Sequence, residues 1–443
     1  MMLLLLFSVL IVLFILGVPI AVSLAMAVII TFIFFGDFPL FMVTQRLYAN
    51  LTHYSLMAVP FFILAGKIME KGGIARRLID FANTLVGRFP GGLALTGILA
   101  CMFFASISGS STATVAAIGS IIIPGMLERG YGRNFAVGSI TTAGALGILI
   151  PPSIAMIIYG FVTEISVGKL FIAGIIPGIF LGFSLMVVSF FVAKKRGFKS
   201  EKGFSWREKF RAFQRAFWSL MLPVIVVVGI YGFPEMTIGP WHFRGGGIFT
   251  PTEAAAVCVI YAIIVSVFIY KEIRFRDLFG LILEAANTIA MLMFIITAAM
   301  LFGFILTNAQ VPHHIAQWVI AHRFSTSLFL LMVNIILFFA GDFMDPTPII
   351  MIFIPVLFPA VLALGIDPVH FGIIVVVNME MGLVTPPIGM NLYVASAIMD
   401  MPLYDVLRAA LPWILVIVFV LIVITYVPVI STFLPKLMYG ARY

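Results

Sequence analysis

Charged side chains are scarce in this chain: Asp, Glu, Lys and Arg together make up 10% of its 443 residues. In a typical soluble domain about a quarter of the residues are charged. Hydrophobic residues account for 63% of the sequence, a composition that needs lipid as its solvent. The apolar runs are too long and too continuous for the alternating strands of a membrane barrel. We therefore expect an all-α polytopic membrane protein.

Cysteine is also rare, since only Cys101 and Cys258 are present and each stands alone in an apolar segment. No redox or metal-binding spacing exists, so we expect both to be packing residues and expect no cofactor. The net charge is +8, and nine of the 26 basic residues lie between Lys194 and Arg215. In a membrane protein such a cluster is typical of a cytoplasmic loop facing anionic lipid, which disfavours a nucleic-acid site.

Hydropathy predicts ten membrane spans and two further apolar regions that are interrupted near their middle. The interruptions are 103–114 (FFASISGSSTAT) and 338–347 (FFAGDFMDPT). Hydrocarbon has no water to satisfy such polar groups, so we expect the surrounding regions, 91–127 and 326–362, to be re-entrant helical hairpins. The alternative is that all twelve regions cross. The spans are predicted near 2–16, 19–35, 55–67, 135–163, 171–192, 217–232, 251–270, 288–306, 368–397 and 411–433.

The distribution of basic residues favours the hairpins. If the N-terminus lies outside, 20 of the 26 Lys and Arg residues, Lys67 among them, fall in segments assigned to the cytoplasm and six fall outside. This asymmetry would degrade after either interrupted region if that region crossed the membrane fully. The positive-inside rule therefore predicts ten spans, two hairpins and both termini outside.

The two halves of the chain match at a constant offset of 235 residues. The first half contains five full spans, an odd number, so the second half is expected to enter the membrane inverted. We predict a first inverted repeat at 1–192, a basic amphipathic cytoplasmic linker at 193–216 and a second repeat at 217–443. A solvated basic loop is the alternative for the linker. The matches include Phe103-Phe104-Ala105 with Phe338-Phe339-Ala340, Pro124 with Pro359, and Pro177 with Pro412. Gly147, Pro151 and Pro152 likewise match Gly382, Pro386 and Pro387.

Each half contains a double proline inside a predicted span, at 135–163 and 368–397. Proline removes a backbone donor and clashes with the preceding turn, so two in succession should unwind the helix and free carbonyl oxygens. Freed carbonyls beside hydroxyl groups suit a hard cation such as sodium. A simple helix kink is the alternative.

Ser110 and Asp345 occupy equivalent positions at the two hairpin tips, and both are good helix N-caps. The second arm of each hairpin would then begin at the midplane with free N–H groups, which favours an anionic substrate. Asp342 and Asp345 are the only acids of the second hairpin. Asp345 is interpreted either as a cation ligand or as a cap alone. Three further polar candidates, for cation binding, substrate binding or helix bridging, are Glu380, Asn378 and Asn391.

Four longer motifs resemble those of the large membrane subunit of tripartite ATP-independent periplasmic (TRAP) transporters, DctM and SiaM being examples. They are 108–120 (SGSSTATVAAIGS), 142–144 (TAG) with 147–153 (GILIPPS), 250–254 (TPTEA) and 382–389 (GLVTPPIG). The resemblance implies an elevator-type, sodium-coupled secondary transporter in the bacterial inner membrane, with both termini periplasmic. A periplasmic binding protein would deliver an organic anion, such as a dicarboxylate, sialic acid or a sulfonate. The small four-helix subunit of the family is expected as a separate polypeptide.

The resemblance also implies the individual ligands. The first sodium site is carried over to Ser106, Ser108, Gly109, Gly144, Ile148 and Pro151. The second is carried over to Gly341, Asp345, Gly382, Val384 and Pro386. The substrate is expected near Ser110, Ser111, Thr385 and Asn391.

Two other functions are alternatives to this one. A one-component sodium/dicarboxylate symporter of related architecture would transport without a binding protein. An intramembrane protease could use Ser110 or Ser111 as nucleophile, or Asp342 with Asp345 as an aspartyl pair. Serine chemistry needs a base within hydrogen-bond reach, and His370 is the only histidine near a core span. The two aspartates lie on one hairpin instead of on opposed elements. We therefore expect no enzymatic activity.

Overall fold

The computed structural model describes residues 1–35, 40–198, 203–232, 236–238, 241–243 and 247–440. In this part the chain forms twenty α-helices and two short strands, β1 (Met236–Ile238) and β2 (Trp241–Phe243). The strands are antiparallel, with Thr237 opposite His242. The predicted all-α fold is thus confirmed apart from this hairpin, which hydropathy missed because each strand has only three residues.

The helices of the first half cover most of its length. They are α1 (Met2–Ile15), α2 (Ile20–Phe35), α3 (Leu40–Leu51), α4 (Ala58–Lys71), α5 (Ile74–Val86), α6 (Gly92–Ser108), α7 (Ser111–Glu128), α8 (Arg133–Ala143), α9 (Ile154–Thr163) and α10 (Val167–Lys195). The helices of the second half are α11 (Trp206–Tyr231), α12 (Pro251–Ile263), α13 (Asp277–Asn308), α14 (Val311–Ala321), α15 (Thr326–Phe343), α16 (Pro346–Ala363), α17 (Pro368–Leu383), α18 (Met390–Met399), α19 (Leu403–Tyr426) and α20 (Val429–Tyr439).

Helix boundaries in the two halves agree with the 235-residue offset. Adding 235 to the bounds of α7 gives those of α16, and adding it to the first residue of α8 gives the first residue of α17. The pairs α6 with α15, α9 with α18 and α10 with α19 begin within one residue of the same register. The inverted orientation of the halves in the membrane stays a prediction.

Both interrupted apolar regions consist of two helices joined by a very short turn. α6 ends where Gly109 adopts a left-handed backbone (φ +59°), and α7 begins after Ser110. α15 and α16 are separated by Met344 and Asp345, and Pro346 is the first residue of α16. Proline is favoured there because the first helical residue needs no backbone donor.

Both double prolines lie at breaks between helices. After α8 the chain forms a 3₁₀ turn, Gly144–Ile148, and helix resumes only at Ile154. In the second half, α17 ends at Leu383 and α18 begins at Met390. The Pro151-Pro152 and Pro386-Pro387 peptide bonds are both cis.

Several predicted boundaries are wrong. The segment 193–216 was predicted as an amphipathic linker, and its residues 206–216 are helical, but the helix to which they belong, α11, continues without a break into the span predicted at 217–232. A capping box of Ser205 and Glu208 starts it, and Phe213 packs on Phe81 with ring centroids 5.8 Å apart. Residues 199–202 of the linker lie outside the described part. The span predicted at 411–433 is two helices, α19 and α20, and α3 was not predicted.

Eight helices of the described part are long and apolar enough to cross a membrane, against the ten predicted spans. Three of the eight, α7, α15 and α16, are arms of the interrupted regions. Five predicted spans are therefore absent from the eight. Three of them are the short helices α1, α2 and α4, of 14, 16 and 14 residues, and the other two are broken into pairs of short helices, α8 with α9 and α17 with α18. A count by helix length therefore measures how a span is interrupted as well as how many spans exist.

Candidate functional site

The first hairpin tip packs directly on the break in its own half. A Cβ on Gly109 would lie 2.9 Å from the carbonyl oxygen of Pro152, and a Cβ on Gly147 would lie 2.5 Å from that of Ser110. Both distances are shorter than real Cβ contacts. Glycine is therefore required at both positions to let the two backbones meet.

The second tip packs on the second break in the same way. A Cβ on Gly382 would lie 2.6 Å from backbone atoms of Gly341. The Ile388 N–H donates to the carbonyl oxygen of Asp342 at 3.1 Å, and the Asp342 carboxyl oxygen Oδ1 lies 2.7 Å from the hydroxyl of Thr385. Here a tip carboxylate and a break hydroxyl add a side-chain contact to the backbone one.

A third set of contacts joins the two halves through the hydroxyl of Ser111. Ser111 Oγ lies 2.9 Å from the Gly144 carbonyl oxygen and 3.1 Å from Glu380 Oε2, and it accepts a hydrogen bond from Asn391 Nδ2 at 2.8 Å. The Ile148 N–H donates to Glu380 Oε1 at 3.1 Å. Glu380 and Asn391 are fully buried. We call these five residues the Ser111 cluster.

The remaining hydroxyls of the first tip bond locally. Ser106 Oγ donates to the carbonyl oxygen of Phe103 at 2.7 Å. Ser108 Oγ lies 3.0 Å from Thr114 Oγ1 and 3.3 Å from the Ser110 carbonyl oxygen. Ser106 thus uses its proton within its own helix, whereas Ser108 helps to close the turn between α6 and α7.

A cavity of about 180 Å³ lies between the two tips. Ser110, Ser111 and Thr112 line it from the first tip, and Asp345 and Thr347 line it from the second. The N-terminal ends of α7 and α16 therefore meet at one cavity. Because both ends expose backbone N–H groups and a positive dipole, the cavity suits an anion.

The two helix starts differ in their capping. Ser110 Oγ accepts a hydrogen bond from the Ala113 N–H at 3.5 Å, whereas the Asp345 side chain makes no capping bond to α16. The carboxylate of Asp345 is thus available to the cavity. Asp345 is the N-cap residue of α16 by position but makes no side-chain capping bond, and its role as a cation ligand stays a prediction.

A larger cavity of about 340 Å³ adjoins the first tip and is bordered by the second half of α4 and by Thr288 and Leu292 of α13. Lys67 and Glu70 of α4 line it together with Ser108, Ser110 and Thr112. Lys67 Nζ lies 3.8 Å from a carboxylate oxygen of Glu70 and 3.8 Å from one of Glu284. Lys67 was not predicted as a site residue. The sequence analysis used it only as one of the basic residues that assign segments to the cytoplasm.

The structure brings most, but not all, of the predicted site residues together. The tips carrying Ser108, Gly109 and Gly341 meet the breaks carrying Gly144, Ile148, Pro151 and Gly382. Thr385 was expected beside Ser111 and Asn391, but its hydroxyl bonds Asp342 and the Met381 carbonyl oxygen instead. Val384 and Pro386 have no polar side-chain atom that could form such a bond. Their assignment as sodium ligands stays a prediction, as does that of every other predicted ligand.

Two asparagines were left open between substrate binding and helix bridging. Asn378 Nδ2 donates to the backbone and side-chain oxygens of Asn334 at 2.9 and 3.0 Å, so it bridges α17 and α15. Asn391 bridges α18 to Ser111 and has a buried Oδ1 without a hydrogen-bond partner in the described part. Glu380 was a candidate only because it precedes the second break, and its contacts to the first half could not be found from spacing.

The donor groups of this site are carbonyl, hydroxyl and carboxyl oxygens. In the part of the chain that the structure describes, no group of three or more His, Cys, Asp or Glu residues could hold a metal ion. Oxygen donors of this type favour a hard cation, and free helix N-termini favour an anion. The geometry can therefore accommodate both a cation and an anion at the tips.

Comparison with known proteins gives a consistent family. Residues 7–430 match the model of the tripartite ATP-independent periplasmic transporter, DctM component. The chain is 50% identical to the C4-dicarboxylate TRAP transporter large permease protein DctM of Pseudomonas aeruginosa, with 88% of each chain covered. It is 34% identical to the sialic acid TRAP transporter large permease protein SiaM of Vibrio cholerae, with 96% of each covered.

A solved structure supports the fold. The YdaH transporter of Alcanivorax borkumensis superposes with a TM-score of 0.61 at 14% identity, covering 91% of this chain and 89% of that one. The isethionate permease protein DctMQ of Oleidesulfovibrio alaskensis, 43% identical, matches 94% of this chain over 64% of its own length. Permeases of this type work with a small membrane subunit and a periplasmic binding protein. The chain is a multi-pass membrane protein that belongs to the family of large permease (DctM) components of tripartite ATP-independent periplasmic transporters.

Proposed function

We propose that this chain is the substrate-translocating subunit of a sodium-coupled secondary transporter that imports an organic anion. The observation that carries the proposal is the cavity between the two hairpin tips, where the starts of α7 and α16 converge. Positive helix ends attract the anion. The unwound backbone beside each tip supplies carbonyl oxygens for a coupling cation.

A C4-dicarboxylate is the substrate to test first. The relative named for C4-dicarboxylates is 50% identical to this chain, against 34% for the one named for sialic acid. A small dianion also fits a site that offers two helix N-termini and a nearby lysine, Lys67. We further propose the bacterial inner membrane as its location, with both termini in the periplasm.

The sodium sites proposed are those expected from the sequence. Gly144 and Ile148 lie beside the first tip, and Gly382 lies against Gly341 at the second. Asp345 faces the cavity without a capping bond, so its carboxylate can offset the charge of a sodium ion nearby. The sodium ions are cargo of the transport cycle, and the oxygen donors present fit them.

Movement of the tips and breaks as one unit, an elevator mechanism, is part of the proposal. The tips contact the breaks through backbone atoms at glycine, so neither can move without the other. The cavity beside the first tip extends toward Lys67 and Glu70, residues that the charge pattern assigns to the cytoplasm. The state described here therefore corresponds to a site open to the cytoplasm.

Reconstitution tests this function directly. The chain, its small membrane subunit and the cognate binding protein would be placed in liposomes, and uptake of labelled dicarboxylate would be followed with and without a sodium gradient. We expect uptake that needs both sodium and the binding protein. Uptake that persists without sodium would contradict the coupling, and uptake without the binding protein would favour a one-component symporter.

A further inference from the structure

The first turns of α11 carry a stripe of aromatic side chains beside a stripe of arginines. A helix turns by about 100° per residue, so side chains three or four positions apart share a face. The aromatic stripe consists of Trp206, Phe210, Phe213 and Phe217, and the arginine stripe consists of Arg207, Arg211 and Arg215. We call these residues the α11 surface.

The start of the α11 surface is exposed and unpaired within the described part of the chain. Trp206 and Phe210 are 81% and 54% exposed, and neither ring packs on another aromatic ring there. Arg207 and Arg211 make no ion pair with the described residues. Glu208 is the only acid of these turns, and its carboxylate is used by the capping box. Large apolar side chains exposed together mark a contact surface.

The α11 surface is fixed in place by contacts with its neighbours. Phe213 packs on Phe81 of α5 with ring centroids 5.8 Å apart, and Phe81 stacks on Phe103 of α6 at 5.9 Å. The hydroxyl of Tyr270 donates to the carbonyl oxygen of Arg215 at 2.9 Å. The exposed side chains therefore project from an anchored helix, which lowers the entropy cost of binding a ligand there.

Helix α5 adds positive charge to the same region. Arg76 and Arg77 of α5 and Arg215 of α11 lie close enough to Asp80 for their charges to interact with its carboxylate. Arg77 is paired with Glu272 at 2.9 Å. Arg76 and Arg215 form no such pair with the described residues, so Asp80 faces more positive charge than it offsets. The region as a whole is suited to an anion.

The length of α11 places its start at the level of the lipid headgroups. The helix has 26 residues, which is about 39 Å, whereas the hydrocarbon core of a bilayer is about 30 Å thick. Its last turns, up to Tyr231, are apolar, so its first turns extend beyond the hydrocarbon. The charge pattern predicts that this end faces the cytoplasm, where anionic lipids attract arginine and aromatic rings are favoured at the interface.

We propose that the α11 surface binds the headgroup of an anionic phospholipid in the cytoplasmic leaflet. Arg207 and Arg211 hydrogen-bond the phosphate oxygens, a geometry to which guanidinium groups are suited. Trp206 and Phe210 pack on the glycerol backbone and the upper part of the acyl chains. The excess of positive charge selects an anionic lipid over a zwitterionic one. This inference uses neither the tip cavity nor the sodium sites, so it does not depend on the proposed function.

Fluorescence quenching at Trp206 tests the proposal in liposomes that contain the chain together with its small membrane subunit. Brominated phosphatidylglycerol or brominated phosphatidylcholine is mixed at the same mole fraction into unlabelled phosphatidylcholine. The signal of a Trp206→Phe variant is subtracted to isolate Trp206. We expect stronger quenching by the phosphatidylglycerol. Equal quenching by the two lipids would overturn the proposal.

Arg207→Gln combined with Arg211→Gln removes the charges that select the lipid. The preference for phosphatidylglycerol should fall by up to about fivefold for each arginine removed. Thermal unfolding should be unchanged, because both side chains are exposed. Arg323→Gln with Lys436→Gln is the matched control, since it removes two exposed charges assigned to the other side of the membrane. A control that lowers the preference equally would show an effect of net charge alone and overturn the site.

A potassium chloride titration needs only the Trp206→Phe reference and remains informative if the arginine variants do not assemble. Salt screens exposed charges, so the preference for phosphatidylglycerol should decline while quenching by phosphatidylcholine stays constant. A preference unaffected by salt would contradict the role of the arginines. The same measurement on the chain without its small subunit gives the last check. A preference that is present there but absent from the complex would show that the subunit covers the α11 surface, and would overturn lipid as its occupant.

Discussion

The two hairpin tips share a backbone arrangement but differ in where their carboxylates come from. The polar side chains of the first tip are all hydroxyl groups. The carboxyl group beside this tip, that of Glu380, belongs to the other half of the chain. The second tip carries its own acids, Asp342 and Asp345, and Asp342 bonds Thr385 of its own break. The difference teaches that the repeat preserves glycine and proline positions while the charges of the two sites are distributed asymmetrically.

The asymmetry makes the halves dependent on each other. Glu380 bonds Ile148 and Ser111, so the first break and first tip are held in part by a helix of the second half. The second tip bonds its own break through Asp342. We therefore expect substitutions of shared backbone positions to have equal effects in both halves, and substitutions of side chains to have unequal ones.

The largest effect is expected from Gly147→Ala and Gly382→Ala, which occupy equivalent positions. Each new Cβ would lie 2.5 to 2.6 Å from backbone atoms of the facing tip, which cannot move aside as a side chain could. Overpacking of this kind destabilises by about 1–3 kcal/mol or more. Both variants should lower the melting temperature of the detergent-solubilised protein by similar amounts and abolish uptake.

Gly125→Ala in α7 is the matched control, since no atom lies within 4 Å of its added Cβ. Alanine is favoured over glycine in a helix by about 0.5–1 kcal/mol, so this variant should be neutral or slightly stabilised. A tolerated Gly382→Ala beside a damaging Gly147→Ala would show that the tips do not share one backbone arrangement.

A smaller and unequal effect is expected from removing the two buried hydroxyls. Ser111→Ala leaves Asn391 Nδ2, Glu380 Oε2 and the Gly144 carbonyl oxygen without this partner. An unsatisfied buried group costs about 1–3 kcal/mol. Thr385→Val removes a partner only from Asp342 and the Met381 carbonyl oxygen.

We therefore expect Ser111→Ala to destabilise more than Thr385→Val, as measured by thermal unfolding. Sodium-dependent uptake should fall in both. Equal losses of stability would mean that the contact between halves at Ser111 is no more important than the local one at Thr385.

The helix caps give the sharpest separation of stability from transport. Ser110→Ala removes a capping bond and should destabilise by about 0.5–2 kcal/mol. Asp345→Asn removes a carboxylate that makes no capping bond and introduces a residue equally favoured at an N-cap, so it should destabilise less than Ser110→Ala. Sodium-dependent uptake by Asp345→Asn should nevertheless be lost.

Thermal unfolding and uptake measured on the same preparations check this pair. If Asp345→Asn unfolded at a much lower temperature while the remaining folded protein transported normally, Asp345 would be a structural residue. Ser108→Ala is a useful companion, since we expect it to impair transport more than membrane insertion.

The smallest effect on stability is expected for Lys67→Gln. Its two ion pairs are 3.8 Å long and partly exposed, and such pairs contribute about 0–1 kcal/mol. The side chain lines the cavity beside the first tip, so its loss should raise the dicarboxylate concentration needed for half-maximal uptake. An unchanged concentration dependence would exclude Lys67 from substrate binding.

Much of the fold was predictable because hydropathy, glycine and proline act locally. Apolar runs marked the helices, polar interruptions marked the two tips, and the double prolines fell at both helix breaks. Some boundaries were missed because hydropathy alone does not mark them. α11 begins inside the predicted linker, where Phe213 packs on Phe81 of α5, and β1 with β2 is too short to leave a hydropathy pattern.

The sequence by itself determined the membrane environment, the hairpins' polar tips and the family, because these depend on composition, spacing and long motifs. Tertiary structure alone decided which side chains meet. Glu380 reaches Ser111 across 269 residues of chain, Thr385 pairs with Asp342 and leaves Asn391 to Ser111, and Lys67 borders the first tip. The physical reason is that a carboxyl or hydroxyl group takes its role from the donors and acceptors packed around it, and no local pattern encodes partners from another helix.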